Sequence, residues 1–296
     1  MASVIQSSGP ININDIKNGF PNINANDLNS YRGKGWLIPA TSTTGTFSTG
    51  TISYNCFYGK VYNTLTYNVV SNTYNLNVKS LIGGNYITGK TGATIIINSG
   101  VYIGSTSAGN PSLVINGFST GDIITIINNG YIYGAGGNGA GGGGYGSSGT
   151  PGNPGGNAIC VAAPAGIATI VNNGTIAGGG GGGAGGGGFC CFNSSWFGSH
   201  TGVGGAGGGG GAGYNPGSGA GGASGTGGNG TLTCGGHNAG GPNSGSCTRS
   251  GAGGALGQPG GNAAQGAQGG AAGKWISGLN NLKSTTVGGT KIGPSA

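Results

Sequence analysis

The side chains best suited to metal or redox chemistry crowd into one stretch: Cys190, Cys191, His200, Cys234, His237 and Cys247. Tetrahedral zinc needs four N or S ligands, commonly delivered as short pairs such as C-x2–4-C. Cys234 and His237, in "CGGH", form one such pair, whereas the adjacent Cys190 and Cys191 chelate a single ion poorly. Disulfides are a second reading, because six cysteines are an even number and suit an oxidising compartment. A bridge between Cys234 and Cys247 would close a Gly/Asn/Ser loop with no other source of rigidity in the sequence. Free buried thiols are the third reading, and the sequence does not choose a pairing.

Acid–base chemistry has little to draw on. The chain has no glutamate, and its acids are Asp15, Asp27 and Asp122. With only two histidines besides, a general acid–base site of the usual kind is hard to assemble, so neither an enzyme nor a cofactor is expected. Residues 84–91, "GNYITGKT", satisfy the phosphate-loop pattern G-x-x-x-x-G-K-[ST]. That pattern holds phosphate only between a strand and a helix N-terminus, and the following "GATIIINSGV" reads as strand and turn. Nucleotide binding is not expected. The G-x-G-x-x-G matches and the sequons at Asn173, Asn193 and Asn229 carry no weight in a chain with 79 glycines.

Aromatic residues offer recognition rather than reaction. Phe189, Phe192, Trp196 and Phe197 form either a small apolar core or an exposed surface of the kind that dominates binding energy. A mixture of the two is expected. Trp196 and His200 are the better surface candidates; Tyr214, His237 and Arg249 join them if their loops share an end. The net charge of +7 is too dispersed for nucleic acid, which needs a concentrated basic face. Arg249 is the only charged residue between Asp122 and Lys274. No segment reaches the roughly 20 apolar residues that span a bilayer, and "MASVIQSSGPININDI" lacks the layout of an export signal.

The elements that must hold these residues change along the chain. Residues 1–60 repeat a loose unit, "PININDIKNGF", "PNINANDLNSYRG" and "GTISYNCFYGK". They suit a docking module in which Asn14 and Asn26 cap single helical turns, or else a mostly extended arm. Residues 61–133 are β-branched and aromatic with period-2 alternation, as in "VYNTLTYNVV", which predicts strands. "IIINSGVYIG", "TIINNGYIYG" and "TIVNNGTIAG" repeat strand, Asn-Ser-Gly or Asn-Asn-Gly turn, and strand. Asn-Gly supplies the positive φ of tight turns. Their unequal spacing predicts one unit with variable insertions rather than a fixed-length solenoid.

Residues 134–273 alternate glycine-rich runs with inserts such as "SSGTPGNPGGNAICVAAPAG", "FCCFNSSWFGSHT" and "TLTCGGHNAGGPNSGSCTRS". Such bias often signals disorder. Embedded strands and the breaking of glycine into six runs, however, predict order. Polyproline-II chains have three residues per turn and no internal hydrogen bonds. Several packed side by side can bond to one another, provided glycine lets the backbones approach. A bundle of polyglycine-II helices results. Each run of about 11–13 residues would span roughly 35–40 Å, with the inserts at the two ends. The expected fold is all-β plus this bundle, with essentially no α-helix. Its parts are a docking module over 1–60, a β-rich domain over 61–133, the bundle over 134–273 and a C-terminal cap over 274–296.

"INNGYIYGAGGNGAGGGG", "VNNGTIAGGGGGGAGGGG" and the closing "GGAAGKWISG…VGGTKIG" resemble the receptor-recognising adhesins at the tips of T-even-type phage long tail fibres. The N-terminal units resemble short repeats of other phage appendage proteins and depart from the usual attachment domain of those adhesins. The resemblance implies a virion protein, made in the host cytoplasm and exposed on the particle. Its distal loops would contact a bacterial surface receptor. Its N-terminal part would bind other virion proteins, with Phe20, Tyr31, Arg32, Phe57 and Tyr58 as attachment candidates, as a trimer or mounted on a trimeric fibre. Two rival readings are a structural virion component, such as a capsid decoration or fibre-capping adaptor, and an ice-binding glycine-helix protein.

Overall fold

The structure, a computed structural model, describes residues 9–19, 26–28, 63–144, 146–192, 200–239, 249–264 and 267–296. Most of the ordered secondary structure is β, laid down as stacked coils. A coil contributes one strand to each of three parallel sheets. The first coil holds β1 (Asn63–Val69), β2 (Thr73–Tyr74) and β3 (Leu76–Asn77); the second β4 (Thr91–Ile97), β5 (Tyr102–Gly104) and β6 (Leu113–Asn116). The third holds β7 (Ile123–Asn128), β8 (Tyr131–Tyr133) and β9 (Ile159–Ala162). The fourth starts with β10 (Ala168–Asn172) and β11 (Thr175–Ala177). It then makes a long excursion carrying the antiparallel pair β12 (Phe189–Phe192) and β13 (His200–Val203), and ends in β14 (Ile276–Ser277). The last coil is β15 (Leu282–Val287), β16 (Thr290–Ile292) and a bridge from Ser295 to Ile276.

Sheet orders β1-β4-β7-β10-β15, β2-β5-β8-β11-β16 and β3-β6-β9-β14 show every coil stacking on its predecessor. Period-2 alternation sends one residue in two to the interior. Ile95, Ile126 and Ile170 stand in register on the first sheet, Ile103, Ile132 and Ile176 on the second, and Leu113, Ile159 and Ile276 on the third. All nine are fully buried. On the outside of the first sheet, Thr66, Thr94, Thr125, Thr169 and Ser284 form a matching hydroxyl ladder.

This architecture refines the expectation of tight turns between strands. The strands flanking each Asn-Gly step lie in different sheets and pair with the next coil, so the step turns a corner. Gly100 has φ +78°, but Gly130 and Gly174 do not have positive φ. They are glycine because coils touch there: an added Cβ would lie 2.3 Å from the Val101 carbonyl oxygen and 2.0 Å from that of Gly130, respectively. Asn128 and Asn172, two residues before these glycines, are buried. Asn128 Nδ2 donates to Asn172 Oδ1 at 2.8 Å, and Asn172 Nδ2 donates to the Thr290 carbonyl at 3.1 Å. The sheets also cross the expected boundaries at 133/134 and 273/274, because parallel strands can pair only after a long connection.

Both long connections leave from one corner, between the second and third sheets, where the second coil has only the loop 105–112. They fold into ten extended segments: 134–144, 147–156, 178–188, 204–213, 217–222, 227–231, 234–239, 250–255, 258–263 and 267–273. Backbone hydrogen bonds join neighbours with a repeat of three residues. In 178–188, the N–H groups of Gly179, Gly182, Gly185 and Gly188 donate to the carbonyls of Gly156, Asn153, Thr150 and Ser147. Those of Gly180, Gly183 and Gly186 donate to Ala212, Gly209 and Ala206, and those of Gly181 and Ala184 donate to Gln258 and Gly261. Carbonyls of the same segment accept from Gly137 and Ala140, from Gly254 and Gly251, and from Gly273 and Gly270. The segment therefore has a neighbour on every side. Segment 204–213 is enclosed likewise, by 134–144, 178–188, 217–222, 227–231, 234–239 and 250–255.

Enclosure decides composition. In 178–188 an added Cβ would lie 2.0 Å from the Gly254 oxygen at Gly180, 1.9 Å from that of Gly270 at Gly181 and 1.9 Å from that of Asn138 at Gly182. Segment 147–156 lies outside and needs glycine at every third position, Gly149, Gly152 and Gly155, on its inward side, and at Gly156, where a Cβ would meet the Ala108 backbone at 2.9 Å. Thr150, Pro151, Asn153 and Pro154 face solvent. "SSGTPGNPGG", expected as part of an insert, is therefore a segment of the bundle.

Helical content is small. In α1 (Ile13–Gly19) the cap is Asn12 rather than Asn14. Asn12 Oδ1 accepts from the N–H groups of Asn14 and Asp15, and the Asp15 carboxylate accepts from the Asn12 N–H. That reciprocal capping box starts the helix two residues earlier than expected. A second short helix, α2 (Val78–Ile82), follows β3 and buries Val78 and Ile82.

Candidate functional site at the free end of the bundle

Tracing the segments gives the bundle two ends. Toward the coils lie the junctions at 133–134, 156–158, 177–178 and 273–275, and the turns 213–217, 231–234 and 255–258. At the opposite, free end lie the segment ends at 144 and 147, the β12–β13 pair, the turn 222–227 and the segment ends at 239, 249–250, 263–264 and 267.

The two enclosed segments, 178–188 and 204–213, run directly into β12 and β13. The pair is thus rooted in the middle of the lattice. Its register sets Cys190 opposite Gly202, Cys191 opposite Thr201 and Phe192 opposite His200, immediately before the connection 193–199. Trp196 and Phe197 lie in that connection, outside the described residues. Arg249 is exposed at the same end, and its carbonyl accepts from the Ala264 N–H at 3.1 Å. The base of 240–248 is pinned: the buried Ser250 hydroxyl donates to the Ala239 carbonyl and accepts from the Ala239 N–H. Sequence reasoning missed this anchor and the reversal at 222–227, which hides inside a glycine-rich run.

Other candidates sit elsewhere. His237 is exposed on an outer segment, its ring lying over Gly228, where a Cβ would be 2.4 Å from Nδ1. Tyr214 lies at the coil end, stacked with Tyr102 at 5.6 Å and edge-on to Tyr74 at 5.2 Å. Burial raises the pKa of its phenol first, and neighbouring Tyr74 adds to the effect. Cys234 is an exposed free thiol at the coil-end turn, where its carbonyl accepts from the Thr231 N–H. Cys247 lies outside the described residues, as do Phe20, Tyr31, Arg32, Phe57 and Tyr58. Among the described residues no three His, Cys, Asp or Glu side chains group as metal ligands.

The phosphate-loop pattern has a structural explanation. Thr91 opens a strand, its N–H donates to the buried Asp122 carboxylate, and its hydroxyl accepts from the Ile87 N–H. Asp122 also accepts from Tyr86 Oη and the Ser119 N–H. These groups close a turn between coils, and a strand rather than a helix N-terminus follows.

A hydrogen-bonded glycine lattice with one end free of the coils is the architecture of a display scaffold. The chain matches the family model described as phage tail fibre adhesin Gp38 over residues 64–296, and it belongs to that family. It is thus a receptor-binding adhesin and a component of a phage virion. It is similar to a chain in the crystal structure of the gp37–gp38 adhesin tip complex of the bacteriophage S16 long tail fibre. Identity is 26%, coverage is 84% of this chain and 89% of that one, and the TM-score is 0.56. No curated protein matches the chain.

Proposed function

We propose that the protein recognises the host cell surface through the free end of the bundle, centred on the β12–β13 pair. The observation that carries this is the rooting of the pair in the two enclosed segments. The most rigidly held backbone in the molecule leads straight to Phe192 and His200, which flank Trp196 and Phe197. Arg249 belongs to the same end, whereas Tyr214 does not. The bundle segments are polyglycine-II helices, a reading supported by their three-residue hydrogen-bond repeat. At about 3.1 Å per residue the eleven positions of 178–188 span roughly 34 Å. The protein works by docking alone, without catalysis or cofactor. Several copies on a particle raise weak single-site affinity through effective concentration.

Residues 1–60 mount the adhesin on the fibre, and the C-terminal strands serve the coils rather than a separate cap. The relative's occurrence in a gp37–gp38 complex supports a fibre protein as the partner. The decisive experiment exchanges residues 190–202 with those of a Gp38-family adhesin of different host range. Host range is expected to follow the exchanged segment. An unchanged host range, with virions still carrying the adhesin, refutes recognition by this pair.

A further inference from the structure

Four backbone junctions tie the bundle to the coils, and all four spring from the third and fourth coils, at β8, β9, β11 and β14. Each of the three coil-end turns lacks such a tie, and each brings one large side chain to the same cluster. Tyr214, Leu232 and Leu256 meet Tyr102, Tyr131, Tyr133 and Ile292 on the outer side of the second sheet. Of the three, Tyr214 reaches furthest from the junctions. It lies against Tyr102 of the second coil and Tyr74 of the first, coils from which no bundle segment springs. Its neighbour Asn215 reinforces the link, with Nδ2 donating to the Thr106 carbonyl at 2.6 Å.

Gly104 makes room for this contact. It pairs with Tyr74 in the sheet, and an added Cβ would stand 2.0 Å from the Tyr214 ring. Its φ is not positive, so glycine is needed there for space and not for backbone conformation. Tyr214 acts as a knob in a socket floored by Gly104 and walled by Tyr74 and Tyr102.

We infer that the Gly104–Tyr214 joint fixes the direction in which the bundle presents its free end. Tyr214 is then a positioning residue, and its part in attachment rests on the adhesin reading. A hinge held only at one corner would let the bundle sample many directions. If the competent direction is populated about one time in ten, apparent binding by the particle falls about tenfold.

The test places spin labels, through a keto-bearing amino acid, at exposed Ala252 and Lys283 of the full-length protein. Gly104→Ala, which evicts the ring, and Tyr214→Ala, which removes it, are expected to broaden the distance distribution between the labels. Tyr214→Phe, which keeps the ring, is expected to match the parent. Isolated Tyr214→Ala adhesin should bind cells as the parent does, while phage carrying it adsorb about tenfold less. An unbroadened distribution in both variants overturns the inference. So does a loss of cell binding by isolated Tyr214→Ala, which would make Tyr214 a receptor contact. If the isolated parent protein fails to bind cells, the adhesin reading falls, and the distance measurement still decides the joint.

Discussion

A glycine in this protein is required or dispensable according to what its missing Cβ would meet. At Gly182 a Cβ would lie 1.9 Å from the Asn138 carbonyl oxygen, with backbone on the other sides as well, whereas at Gly221 nothing lies within 4 Å. Gly182→Ala is expected to abolish folding of the bundle, read as loss of soluble, protease-resistant protein. Gly221→Ala, by restricting the unfolded chain, is expected to stabilise by about 0.4–1 kcal/mol in thermal melts. A destabilised Gly221→Ala would contradict this account of the outer segments. The buried tyrosines make a second prediction at this scale. Burial raises the pKa of Tyr133 above 10.0, with Tyr102 and Tyr131 adding to it. The unfolded chain ionises there first, so the associated stability is complete below about pH 10 and is lost as pH climbs through the raised folded value. Tyrosinate absorbance and circular dichroism should show unfolding only in that alkaline window, and Tyr133→Phe should move it to higher pH.

Elements here are specified by stacking rather than by local pairing. Strand residues and the Asn-Gly steps were legible in the sequence because period-2 alternation and turn composition are local. Their partners were not, since a parallel ladder joins residues such as Ile126 and Ile170 across a connection of arbitrary length. The same distinction governs Asn128, whose turn-forming character is visible but whose bond to Asn172 is not. Asn128→Ala strands buried polar groups on the next coil and at Gly130, whose N–H donates to Asn128 Oδ1. A loss of about 1–3 kcal/mol is expected from denaturant melts. Ile126→Ala in the fully buried column should lose about 2–5 kcal/mol. Costs near zero at both positions would mean the coils do not stack in this register.

At the scale of the molecule, coils and bundle share one chain path, and neither is a domain that the sequence could mark by a boundary. The excursions leave at a single corner, so all the free-end turns face one way, and recognition can be altered without disturbing the coils. Shortening the 240–248 connection while keeping Ala239 and Ser250, whose mutual bonds close its base, should leave the melting temperature within about 2 °C, since surface changes are usually worth under about 0.5 kcal/mol. It should nevertheless change adsorption. A large drop in melting temperature would place that connection in the scaffold instead.

The sequence by itself determined that the glycine-rich region is ordered, that strands carry the remainder and that chemistry-bearing side chains are confined to short breaks in the glycine. It even marked the two enclosed segments, as the longest runs interrupted only by alanine, because a chain with neighbours on all sides tolerates no larger side chain. Only the tertiary structure decided which breaks meet. "FCCF" and Arg249 came to the free end, while Tyr214 and Cys234 came to the coils. The reason lies in the segments themselves. A glycine run records how tightly it is surrounded but carries no side chain to say by which neighbour, in which direction or at which end it turns.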